Sequence, residues 1–119
     1  MKEGTLYSES QCINHINGVE DALYVVGGKW KLRIVIALVS GHIRFNELQR
    51  TVNGISARVL SNELKQLELN GILKRVVQAD QTPVVVEYVP TEYAKSLKDV
   101  FAVLADWGQK HKKKITAKQ

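Results

Sequence analysis

The chain has 119 residues, 45% of them hydrophobic, and a net charge of +5. That length fits one domain, the apolar content supports a packed core and excludes a disordered tail, and no apolar run reaches the roughly 18 residues of a membrane span. The polar start, MKEGTLYSESQ, has no signal-peptide pattern, and the lone Cys12 cannot close an internal disulfide, so the expected compartment is the cytoplasm.

The charge is unevenly placed. Residues 1–28 carry −3 and residues 76–109 carry −3. Between them, residues 29–75 hold nine lysines and arginines against Glu47, Glu63 and Glu68, which is +6. From Lys110 onward there are five lysines and no acid. A basic central block suits a polyanionic partner, although a solvated charged surface has the same composition.

In chain order, Val19 to Val26 reads as a short helix stopped by Gly27-Gly28. Trp30 to Val39 is apolar nearly all round, which predicts a central, buried helix ended by Ser40-Gly41. Phe45 to Val52 predicts a short helix with Phe45 and Leu48 inward, and Asn53-Gly54 a tight turn. In ISARVLSNELKQLELNG (55–71), Leu60, Leu64, Leu67 and Ala57 fall within roughly 60° of one another on a helical wheel and predict the buried stripe. Arg58, Asn62, Lys65 and Leu69 point away from it. Ser56 stands at the N-cap and Asn70-Gly71 at the C-terminus. Two helices across a tight turn are a helix-turn-helix.

After Gly71 the period becomes two. ILKRVVQAD and PVVVEYVP predict a hairpin around Asp80-Gln81-Thr82. Thr91 is placed to cap a last helix running from Glu92 to about Lys112. Its apolar side, from Tyr93 through Leu97, Phe101, Leu104 and Trp107, is too wide for a small core and predicts a second subunit. The fold class is therefore α+β, mostly α: a winged helix-turn-helix. No internal repeat interrupts it.

Five pieces carry a resemblance: VEDALYVVGGKWKLRIVIALVSG, RFNELQRTVNGIS, LSNELKQLELNGILKR, VEYVPTEYAKSL and WGQKH. Each is loose alone, but in this order they resemble the HxlR family of bacterial transcriptional regulators, related to the MarR type. The resemblance implies one domain over 1–119, with 17–111 as the matching core and 112–119 as a basic tail. It implies a homodimer that binds DNA near promoters, joined through N- and C-terminal helices, here including Leu97, Phe101, Leu104 and Trp107; two-fold symmetry then calls for an inverted-repeat operator, with repression the expected effect. Two departures matter. Relatives often carry a sensing cysteine before the helix leading to GGKW; that position is Asn17 here, so redox sensing does not carry over and Cys12 is left as the candidate redox residue. An arginine common before V-E-Y is Val85 here, which leaves more of the backbone contact to Arg44, Lys74 and Arg75.

The chemistry of the exposed side of residues 57–69 fits duplex DNA. Arg58 can donate twice to guanine and Asn62 can pair with adenine. Ser61 is counted with them, Lys65 suits phosphate, and Ser56 can offer its hydroxyl and amide to phosphate. The partners expected are double-stranded DNA, a second copy and an unidentified small-molecule inducer, with no membrane, metal or other cofactor. The alternative is a protein-interaction winged helix without specific DNA binding. Enzymatic chemistry lacks a constellation. GGK lacks the spacing and trailing hydroxyl of a phosphate loop, Cys12 and His15 have no second pair at zinc-site spacing, and His42 and His111 have no acid or thiol nearby in sequence. Trp30 and Trp107 read as core or interface aromatics, and the lysine tail as a solvated end or a weak attraction to DNA.

Overall fold

The structure is a computed structural model that describes residues 4–117. Its elements are α1 (Glu9–Val26), α2 (Lys31–Val39), α3 (Phe45–Thr51), α4 (Ala57–Leu69), β1 (Leu73–Gln78), β2 (Val85–Pro90), a 3-10 helix (Glu92–Leu97) and α5 (Lys98–Thr116). This is the expected winged helix-turn-helix, with four differences in its helices.

α1 has 18 residues, not the eight expected. It begins at a reciprocal cap, in which Ser8 Oγ accepts from Gln11 N at 3.3 Å and Gln11 Oε1 accepts from Ser8 N at 2.9 Å. Asn17-Gly18, poor helix formers, hid this continuity. The helix stops at Gly27 for a steric reason: a Cβ there would collide with the Leu23 carbonyl. Gly28 then takes a left-handed φ of +91°.

α2 is one-sided. Ile34, Val35, Ala37 and Leu38 are buried, but Ile36 and Val39 are each 40% exposed. Continuous apolar sequence did not mean burial all round, because neighbours cover only part of the helix. On α4, Leu60, Leu64 and Leu67 are buried as expected, whereas Ala57 is exposed. Helical Cβ atoms lean toward the N-terminus, so the first residue leans past the core edge, and the buried Ile55 fills that place. α4 closes with Gly71 N donating to Glu68 O and Ile72 N to Leu67 O, both at 3.0 Å, and Gly71 at φ +75°.

β1 and β2 pair antiparallel, from Leu73 opposite Pro90 to Gln78 opposite Val85. The hairpin is pinned at its base: Tyr88 N donates to Ile43 O at 2.7 Å, and Thr91 Oγ1 donates to Gly71 O at 2.6 Å. Thr91 also accepts from Ala94 N, the cap expected. The single last helix expected from Glu92 to about Lys112 is instead a 3-10 helix over Glu92–Leu97, which Thr91 caps, followed by α5, which starts at Lys98 and runs to Thr116.

The core joins α2, α3, α4, the wing base and Ala94. α1 contributes one buried residue, Val26, and α5 none. The molecule is consequently extended, 66 × 39 × 22 Å, with a radius of gyration of 18.0 Å, against about 13.5 Å for a compact chain of this length. It exposes 9056 Å², where a compact chain of this size exposes about 6,500 Å².

Candidate nucleic-acid interface

α4 places Arg58, Ser61, Asn62 and Lys65 on its solvent side, and all four are exposed. The leucine stripe inward and the polar row outward follow from one 3.6-residue period. Arg58 lies in the first turn. Ser56 caps it by accepting from Val59 N at 3.2 Å, which leaves the hydroxyl proton free to donate. None of Arg44, Arg58, Lys65, Lys74 and Arg75 forms an ion pair among the described residues. Their charge is available to an external anion.

Lys74 and Arg75, both expected to contact the DNA backbone, are split by the strand. Neighbouring residues face opposite sides of a sheet. Arg75 stands opposite Tyr88, which packs on the core, and Lys74 opposite the exposed Val89. Both lie at the wing base. Beyond them, residues 76–86 contain no lysine or arginine, and their single charge is Asp80.

Arg44 lines an open groove of about 600 Å³ between α3 and the wing, with Arg50, Glu47 and Pro83 to Val86. Arg50 was not singled out from the sequence; a seven-residue helix is too short for a wheel to define its face. A second basic group was also missed. Lys29 Nζ lies 4.7 Å and Arg33 Cζ 4.9 Å from the ring centre of Trp30, stacked as cation–π pairs. Trp30 itself packs partly buried against the core, as expected.

The four expected dimer residues divide. Leu97 and Phe101 rest half-buried on the core, while Leu104 and Trp107 stand in solvent with Val100, Val103 and Ile115. Trp107 stacks on His111 at 5.1 Å. On α1, Cys12, Ile16, Val19, Leu23 and Val26 recur at alternating steps of four and three, a coiled-coil seam. Ile16, Val19 and Leu23 are all more than half exposed. Cys12 is half-buried. His15 Nδ1 pairs with Gln11 O at 2.7 Å and its ring stacks on Tyr7 at 4.2 Å. His42, read as lacking an acid, has Glu47 at 4.0 Å.

A helix, α4, set across a tight turn from α3 and flanked by a hairpin wing defines a helix-turn-helix DNA-binding protein. Residues 25–116 match the model of the HxlR-like helix-turn-helix family, and the chain belongs to that family. It is 39% identical over 97 residues to the uncharacterised HTH-type transcriptional regulator YdeP of Bacillus subtilis (strain 168), covering 82% of this chain and 75% of that one. Its structure is similar to that of the HTH-type regulator ytcD, with a TM-score of 0.73, 40% identity, and 78% and 94% of the two chains covered. A MarR-family regulator from Enterococcus faecalis V583 matches it over 95% of this chain and 96% of its own, at 31% identity and a TM-score of 0.66. The chain is thus a transcriptional regulator with a DNA-binding helix-turn-helix, of a family of regulators rather than enzymes. No helix among the described residues is long and apolar enough to cross a membrane.

Proposed function

We propose that the protein is a cytoplasmic homodimeric repressor that inserts α4 of each subunit into successive major grooves of an inverted-repeat operator. The reading rests on one observation above others: the side of α4 opposite its leucines carries Arg58, Asn62 and Lys65, exposed and without ion pairs among the described residues. Arg58 and Asn62 read base edges, Ser61 supports them, and Ser56, Lys65 and Arg44 hold phosphate. Lys74 and Arg75 add attraction from the wing base, on opposite faces of the strand. The exposed apolar sides of α1 and α5 support two-fold pairing, which sets half-sites about 34–36 Å apart or a multiple of that. The unidentified inducer fits best in the apolar cleft of about 220 Å³ between α1, Ile72 and the 3-10 helix, lined by Val25, Val26, Tyr93 and Leu97.

The test is a binding titration against salt. Neutralising about six to eight phosphates per dimer gives a log–log slope near −5 to −7. A slope shallower than about −2 would mean that the basic block does not face DNA, and would favour a protein-binding winged helix.

A further inference from the structure

The first turn of α2 grips the reading unit at three points. Lys31 Nζ lies 2.6 Å from Glu63 Oε2 on α4, and their side chains are only 11% and 18% exposed. That oxygen accepts no well-aligned hydrogen bond, so the contact is one of charge with charge, largely out of water. Arg33 Nη2 donates to the Asn53 carbonyl at 3.1 Å, in the turn that launches α4. Trp30 closes the set: its ring edge lies 3.9 Å from where a Cβ on Gly54 would stand, and Arg33 stacks on its face.

A buried ion pair is a poor choice if stability is all that is needed. Apolar residues of the same volume usually hold two elements together as well or better. Paired charges differ in that they select one register and one rotation, which leucines tolerate less strictly. Rotation matters on this helix. A roll of about 15° sweeps a side-chain tip, about 6 Å from the axis, through about 1.5 Å, whereas a working contact tolerates roughly 0.5 Å. Glu63 is the residue directly after Asn62. Fixing Glu63 against α2 therefore fixes the roll of Arg58 and Asn62, and fixing Asn53 sets where the helix begins.

We infer that Lys31, Glu63 and Arg33 are positioning residues for base discrimination: they set the roll and start of α4 without touching DNA. The inference rests on α4 being the DNA-reading helix. The test uses the full chain and two probes, the duplex that the wild-type protein enriches from a pool of randomised DNA and a scrambled duplex of the same composition. The pair is replaced by K31M with E63L, which leaves the net charge unchanged. The double variant keeps or raises the thermal midpoint and keeps the salt slope, while its preference for the enriched over the scrambled duplex falls about tenfold, the scale of one lost bidentate base contact. Arg33→Gln, at an exposed position, gives a several-fold fall in the same ratio and decides the matter if the double variant does not fold. Folded variants that keep the wild-type ratio, or that weaken both duplexes equally, overturn the inference. A wild-type protein that enriches no sequence instead sinks the reading of α4 itself, and that outcome is distinct from wild-type discrimination matched by the variants.

Discussion

Arg58 and Lys65 stand on one side of α4, seven residues and therefore about 10 Å apart along the axis. That separation divides their work. A recognition helix reaches deepest at its first turns, so on the reading proposed above Arg58 would meet base edges and Lys65 the rim of the groove. Arg58→Ala is expected to cost about 1–3 kcal/mol at the cognate site and to relax the preference for one base pair. Lys65→Ala is expected to weaken all sequences alike and to lower the salt slope by about one per site. Anisotropy titrations against cognate and scrambled duplexes at several salt concentrations separate the two. Full discrimination by Arg58→Ala would show that another face of α4 does the reading. Neither change should disturb folding, since both side chains are exposed.

At the scale of elements, the join between α1 and α2 is the least forgiving. Gly27 is required by the Leu23 carbonyl rather than by its own dihedrals, which any residue could adopt. Gly27→Ala is expected to destabilise the protein by at least about 1 kcal/mol, as an overpacked site does. The check is urea denaturation beside Gly18→Ala, where the added methyl meets nothing within 4 Å. Much of this architecture was legible in the sequence, and α4 shows why. Its leucine period, its Ser56 cap and its Asn70-Gly71 stop are local signals that agree, and the structure keeps all three. The outward row of Arg58, Asn62 and Lys65 comes from the same period. The sequence understates α1 because its start depends on a cap four residues long, Ser8 to Gln11, and a stretch of mixed polarity separates that cap from the clearly apolar end. The Lys31–Glu63 pair could not be read at all, since 32 positions separate its members and only the crossing of α2 with α4 brings them together. The splitting of Lys74 from Arg75 was implicit in the strand period, but which of them faced the core depended on Tyr88 across the ladder.

As a whole, the molecule is a small core with two long arms. Beyond Phe101, α5 has no half-buried or buried residue among those described, and its exposed Val103, Leu104, Trp107 and Ile115 stay wet in a single chain. Sedimentation is expected to find a dimer at micromolar concentration, and replacing Leu104 and Trp107 with glutamate to give a monomer with reduced far-ultraviolet helix signal. A double variant that stayed dimeric would place the contact elsewhere. The bareness of α5 also bears on gene dosage. On the proposed pairing, an arm that is buried only against its twin would tie folding to the number of copies in the cell. While most chains are single and most operator is empty, the proposed dimer would grow with the square of expression, so a twofold rise in synthesis would give about a fourfold rise in occupied operator. Halving the supply during growth would then release the operator of the proposed repressor just as steeply, with no signal molecule taking part.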